Sequence, residues 1–445
     1  MISMKRERSL IVRGGLFAML IALLFAGAAL AAASTEFIVY PFPSTSPTNN
    51  AGIQPEGNLV ADSAGNLYGT TFQGGAFTNG TVYELVRPVP PNTGWTRVLL
   101  YSFSPADGDR PYAGLVFDKA GNLYGTTVQG GASNVGTVFE LSPPATEGGS
   151  WTESALYNFQ GSSSDGAFPY SAVVFDGSGN LYGVTNGGGI DYSEDKHCGT
   201  NGCGVLYKLT PPSTPGAAWT ETVLHFFNGG QGYVPVGPPI LDAKGNLYGA
   251  AGGGGNASGV IYRLASPATG ETAWTFKVLY AFGSATTTDA RYPDSSLTLR
   301  GNGLLYGTSE EGGQHGYGTV FQLTPPTVAG GAWTENILYS FASGSDGAYP
   351  HANVIFDSAG NVYGTTTAGG GEDGCTSGCG TVYELSPPAA GSSDWTETIL
   401  HSFPSAAKDG LQPSGGLIFG ESGLLFGVTQ NGGRNNIGAA YAVAK

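Results

Sequence analysis

Charge is what this 445-residue sequence has least of. Only 11% of its residues are Asp, Glu, Lys or Arg, less than half of the roughly 25% found in an ordinary soluble domain. Basic residues are the scarcer kind: Lys+Arg 18 stand against Asp+Glu 33, a net charge of -15. No basic stretch lies beyond the first few residues, which excludes nucleic acid as a partner, because phosphate backbones are held by clustered Lys and Arg. Long apolar runs are missing too once the N-terminal segment is passed, so no later segment predicts a membrane span. There is no Gly-x-Ser-x-Gly elbow and no His-Glu-x-x-His. Helix-compatible stretches are equally rare, because 74 Gly and 27 Pro punctuate the chain, at a cost of about 1 and 3 kcal/mol each in a helix interior. An all-helical fold is excluded. Disorder is excluded by what is present, since 23 Tyr, 22 Phe and 6 Trp supply the apolar surface that disordered chains lack. The composition points to a folded, acidic, β-rich protein.

The N-terminal segment is laid out for export. Lys5, Arg6, Arg8 and Arg13 precede an uncharged apolar run over residues 16–30, and Ala29-Leu30-Ala31 and Ala31-Ala32-Ala33 offer small-residue cleavage sites. This predicts a signal peptide over residues 1–33, the run being short of the ~20 residues that a span requires. Its removal takes four basic residues and Glu7, leaving 18−4 = 14 basic and 33−1 = 32 acidic side chains, a net of −18. No Cys follows the cleavage region and no sorting tail is seen before Lys445. The expectation is a monomer, secreted or periplasmic, with residues 34–445 as a single domain.

Repetition decides the fold. Leu-Tyr-Gly or a near variant recurs with its aromatic at Tyr68, Tyr124, Tyr182, Tyr248, Tyr306, Tyr363 and Phe426, at spacings of 56, 58, 66, 58, 57 and 63 residues. Each copy is followed by Gly-Gly, then by a short run such as Gly80-Thr81-Val82-Tyr83-Glu84-Leu85, usually a Pro-Pro, and a segment such as Trp333-Thr334-Glu335-Asn336-Ile337-Leu338-Tyr339-Ser340-Phe341. Every unit thus contains four runs with strand composition, in the second unit at 115–117, 122–127, 137–141 and 151–159. Asp-x-x-Gly-Asn joins the first two, at Asp118 and again at Asp62, Asp176, Asp242 and Asp357. That is hairpin chemistry; a calcium loop of the EF-hand type needs a longer run with alternating oxygen ligands. Four-stranded units repeated radially predict a seven-bladed β-propeller. The last unit has no fourth run, and residues 35–42 match the pattern of that run, so the N-terminal strand is expected to complete the last blade and close the ring.

The combined pattern Gly-Asn-Leu-Tyr-Gly-Thr-Thr, Gly-Gly, Gly-Thr-Val-Tyr-Glu-Leu, Pro-Pro, Trp-Thr-Glu, Leu-Tyr-Ser-Phe resembles the GloVer (Gloeo/Verruco) tandem repeat of choice-of-anchor bacterial proteins, over essentially the whole chain beyond the leader. The resemblance implies an exported repeat protein, often tethered at the surface through a C-terminal anchor, although no anchor follows Lys445 here. It carries no assigned chemistry, so no catalytic residue transfers.

Alternating strand direction places the loops between second and third strands on the same face as the crossings between blades. Asp107, Asp165, Asp289, Asp346 and Asp409 each precede a Pro by four residues in those crossings. With Arg291 they are candidate binding residues: a collar at the channel mouth suited to a cationic ligand or calcium, or simply turn formers whose carboxylates bond local backbone. No other cofactor is expected. Cys198 with Cys203 and Cys375 with Cys379 read as local disulfides, the rival being a metal site with His197. His225 and His401 replace Tyr on fourth strands and read as packing residues. Glu310, Glu311, His315 and His351 are the candidates for hydrolysis or elimination on a polysaccharide. The leading expectation is a non-catalytic exported propeller that binds an extracellular glycan or protein through this face.

Overall fold

Short runs of β-branched and aromatic residues bounded by Gly, Asn and Pro become strands throughout the chain. The computed structural model describes residues 36–43, 52–146, 148–190, 195–214, 216–256, 258–283, 288–371, 375, 377–404 and 409–445; the expected signal peptide and Thr35 lie outside them. Among the described residues one helical turn occurs, a 3-10 turn at Glu421–Gly423. The strands form seven antiparallel units in a ring, a seven-bladed β-propeller. In the second blade the order from the channel outward is Val116–Phe117, Leu123–Thr127, Thr137–Ser142 and Thr152–Asn158. The innermost position is divided in several blades. In the first, Gly52–Pro55 and Val60–Ala61 both pair with Leu67–Gly74.

Closure is as expected. Phe37–Pro41 pairs antiparallel with Ala439–Ala444, and the Phe42 amide donates to the Gly438 carbonyl at 3.1 Å. Phe103 makes the same bond to Gly80, and Phe403 to Gly380, within their own blades. The head of the described chain therefore acts as the outermost strand of the seventh blade.

The repeat's aromatic residues hold blade to blade. The fully buried Phe ending each outermost strand meets the aromatic of the next blade's third strand edge to face. The pairs run from Phe42–Tyr83 and Phe103–Phe139 through to Phe403–Tyr441, with centroids 5.0–5.2 Å apart at all seven interfaces, the geometry favoured by ring quadrupoles. The Gly of Leu-Tyr-Gly has a packing cause. A Cβ on Gly69, Gly183 or Gly427 would collide with the ring of Tyr83, Tyr207 or Tyr441. Each Trp that precedes an outermost strand packs into the core of the blade before it, as Trp95 does against Phe426 and Trp219 against Tyr124.

The Asp turns are satisfied internally. One Asp118 oxygen accepts the amides of Ala120 and Asn122, while the other accepts the Asn122 side chain and the Tyr124 hydroxyl. The same set recurs at Asp62, Asp176, Asp242 and Asp357. The cysteines pair locally, Cys198 with Cys203 and Cys375 with Cys379, which removes the thiolates that a metal site with His197 would use.

Two changes test the closure. Deleting residues 36–43 leaves the strand Ala439–Ala444 as an open edge and removes Phe42; the single thermal transition is expected to broaden and fall. Phe42→Ala alone is expected to cost about 3–5 kcal/mol in denaturant melts. An unchanged cooperative transition in the deletion would refute closure by this strand.

Candidate ligand-binding site

The seven innermost strands enclose a central cavity of about 800 Å³. Its wall begins at the crossings that bring the chain inward from one blade to the next. In all seven crossings the residue before the Pro adopts a left-handed conformation, with φ of 54–59° at Gln54, Arg110, Phe168, Val234, Tyr292, Tyr349 and Gln412. None of these is Gly, and each such residue costs roughly 1 kcal/mol or more. The twist turns each amide toward the preceding blade, where it donates to a loop carbonyl at 2.8–3.1 Å, as Arg110 does to Asn79 and Tyr349 to Tyr317. The Pro that follows lies on the positive-φ Gly opening the preceding blade's third strand, Pro111 on Gly80 and Pro350 on Gly318 among them, where a Cβ would clash.

The residue after each Pro then faces the cavity. In chain order these are Glu56, Tyr112, Tyr170, Val236, Asp294, His351 and Ser414. A second variable position sits at the end of each second strand, at Phe72, Val128, Asn186, Gly252, Glu310, Thr367 and Gln430. The scaffold brings the first kind from one blade beside the second kind from the blade before. Thus Tyr112 meets Phe72 at 6.1 Å, His351 meets Glu310 and Glu56 meets Gln430.

The rim has two chemically distinct sectors. One is aromatic: Phe72, Tyr112 and Tyr170 form a chain of edge-on rings, with 5.4 Å between Tyr112 and Tyr170, which are 38% and 42% exposed. The other is polar. His351 Nδ1 lies 2.5 Å from Asp294 Oδ2, and its Nε2 lies 3.7 Å from Glu310 Oε1. Burial works against protonation of this imidazole, but the Asp294 hydrogen bond and the charges of Asp294 and Glu310 outweigh it and raise the pKa. Burial also raises the pKa of Glu310, with His351 opposing. Between the sectors, burial lifts Glu56 to about 7 against the hydrogen bonds from Gln430 and Ser414. The Tyr112 hydroxyl is held protonated by burial and then by the charges of Glu56 and Asp294.

Of the four catalytic candidates, the structure brings Glu310 and His351 together. Glu311 follows Glu310 on the strand Leu304–Gly312, where it is exposed and is the register partner of Arg291, and His315 is exposed on the loop beyond. The candidate binding aspartates lie elsewhere than expected. Asp107, Asp165, Asp289, Asp346 and Asp409 are absent from the described cavity wall, and four have their carboxylates engaged by backbone amides of the turns they close. Asp107 accepts the Ser104 amide at 2.7 Å, Asp165 the Gln160 and Gly166 amides, Asp289 the Gly283 amide, and Asp346 the Ala342 amide. The Asp409 carbonyl accepts the Gly433 amide. Asp294 is the site residue that sequence reasoning missed. Its signal was the unrepeated position directly after the repeated Pro.

The Gloeobacter/Verrucomicrobia repeat matches residues 31–194 and 191–441. The chain belongs to that repeat family. No curated protein sequence matches it. Among solved structures, the extracellular domain of a protein described as a one-component system from B. thetaiotaomicron has the same fold, with a TM-score of 0.51 at 12% identity. The match covers 92% of this chain and 42% of the other, so the repeat protein spans less than half of that neighbour. A protein described as a 6-phosphogluconolactonase from Bacteroides uniformis gives a TM-score of 0.46 at 15% identity, over 80% of this chain and 86% of that one.

In this Gloeobacter/Verrucomicrobia repeat protein four of the crossing aspartates, Asp107, Asp165, Asp289 and Asp346, instead meet glutamates of the next blade's outermost strand. Burial, followed by the hydrogen bond to Asp289 and its charge, pushes Glu335 up to about 9, and burial with Asp346 pushes Glu397 up to about 8. Glu153 beside Asp107 and Glu221 beside Asp165 rise to about 7, burial again leading. Tyr280 and Tyr339 donate to both carboxyls of their interfaces. Two interfaces carry other solutions. His225 stacks on Phe276 at 3.7 Å and is driven down to about 4 by burial, and His401 lies 3.2 Å from Glu36. A group whose folded pKa is raised stabilises fully below its ordinary value, and loses that contribution as pH climbs through the folded one. Thermal stability of the repeat protein is therefore expected to fall between pH 5 and pH 9, and Glu335→Gln with Glu397→Gln to flatten the decline by imitating the protonated acids. Melting curves across that range are the check, and a parent protein more stable at pH 9 than at pH 5 would refute the assignment.

Proposed function

We propose that the protein is an exported β-propeller that binds an extracellular glycan at the rim of its central cavity. The observation that carries this reading is the convergence of the repeat's unrepeated positions on one rim, where Phe72, Tyr112 and Tyr170 form a stepped aromatic sector and Asp294, Glu310 and His351 a separate polar one. Exposed rings suit the apolar faces of sugars, and a few convergent polar groups fix orientation in a concave site. Sparse surface charge favours neutral saccharides. Export is supported by the expected leader and by the two local disulfides, which persist in oxidising compartments. Among the described residues no helix is long and apolar enough to cross a membrane.

A catalytic alternative uses the same rim. Asp294 orients His351 as a base opposite Glu310, an arrangement suited to polysaccharide hydrolysis or elimination. The two readings separate experimentally. In a screen of neutral oligosaccharides, binding without turnover is expected. Tyr112→Ala and Tyr170→Ala should each weaken binding at least tenfold, about 1.4 kcal/mol. Turnover abolished by His351→Ala would favour the enzyme, and intact protein that binds no saccharide in the panel would retire the proposal.

A further inference from the structure

The cavity carries a charge imbalance that a neutral saccharide does not require. Glu56, Asp294 and His351 line it, and no Lys or Arg is among the described lining residues. Fourteen rim positions are generated by the repeat, two per blade, and the acids and imidazole among them number four: Glu56, Asp294, Glu310 and His351. Three of these four meet at one place, between the fifth and sixth blades, and each offers one ligand atom within 4.8 Å of the others. The scaffold does not require this. The equivalent meeting of the sixth and seventh blades is made by Thr367 and Ser414, and that of the first and second by Phe72 and Tyr112. Two carboxylates against one imidazole leave a negative excess in this half-buried wall even when the ring carries a proton, and a cation would offset it.

We propose that His351 Nε2 and Glu310, with Asp294 behind the imidazole, bind a divalent transition-metal ion of the Zn²⁺ or Mn²⁺ class. The donor set decides the class: imidazole with carboxylates suits these ions, whereas Ca²⁺ and Mg²⁺ are held by oxygen alone. The arrangement of the imidazole agrees. With Nδ1 against Asp294, the Nε2 atom faces Glu310 at 3.7 Å, too long for a hydrogen bond. That gap suits two donors sharing one ion through bonds of roughly 2 Å. A carboxylate behind the other ring nitrogen is the partner that orients a ligating His and strengthens it as a donor. Asp294 and His351 line the cavity, from which water could complete the coordination. The site shares its polar residues with the saccharide reading, but metal titration needs no saccharide and so tests it separately.

Calorimetric titration of the untagged protein with ZnCl₂ and with MnCl₂ near neutral pH tests the proposal. One ion per chain is expected for at least one of the two metals. His351→Ala and Glu310→Gln should each weaken that binding at least tenfold, circular dichroism showing that the variants keep the fold. His197→Ala removes the exposed imidazole that pairs with Asp195 far along the chain, and should bind like the parent. An equal concentration of CaCl₂ should not compete. The proposal is overturned if neither metal binds more tightly to the parent than to His351→Ala, if His197→Ala rather than His351→Ala abolishes binding, or if calcium displaces the ion.

Discussion

The seam between successive blades is the constraint on which this molecule depends. A propeller blade is hydrophobic on both faces, so a single blade has no stable state without neighbours. Here the neighbours are registered by backbone as well as by side chains. A left-handed residue aims its amide at the previous blade's loop, and the Pro after it rests on a Gly that can have no Cβ. Seven strained residues recur at seven equivalent points, each offset by a hydrogen bond that fixes where the chain turns inward. Shape, rather than charge, sets the blade spacing. This accounts for a sequence so rich in Gly and Pro and so poor in ions.

The same seam builds the rim. Because the Pro is pinned, the residue after it always emerges at the cavity wall, beside the end of the preceding blade's second strand. The scaffold positions are occupied by the repeat, and chemistry is written into the two positions that the repeat leaves free. The crossing aspartates belong to the scaffold. They close turns and meet partly protonated glutamates of the next blade, in surroundings where burial makes a shared proton favourable. A carboxyl array of this kind favours the ring on the acidic side of neutrality, whatever the rim binds.

The strand pattern, blade number, closure and both disulfides were legible in the sequence, because each rests on local chemistry repeated many times: Asp-x-x-Gly-Asn for the hairpin, Leu-Tyr-Gly beside a third-strand ring, and a fourth-strand pattern displaced to the N-terminus. The site was legible in part. Glu310 and His351 were recognisable as reactive types, but Glu311 could not be separated from Glu310, since consecutive residues on a strand face opposite ways and only pairing shows which faces inward, and His315 lies on the loop beyond that strand. The aspartates before Pro drew attention because they recur. Recurrence marks what the fold needs, and Asp294, which occurs once, was passed over for the same reason. Reading the exceptions to the repeat would have found it.

The pairing of Phe37–Pro41 with Ala439–Ala444 has a consequence for biogenesis. A polypeptide is synthesised from its N-terminus, so the earliest strand to appear must wait for the latest before it finds its partner. Until some four hundred residues have followed, the ring stays open with a sticky flank, and partial products have no finished state to rest in. The ring can close only once the last strand, Ala439–Ala444, is present.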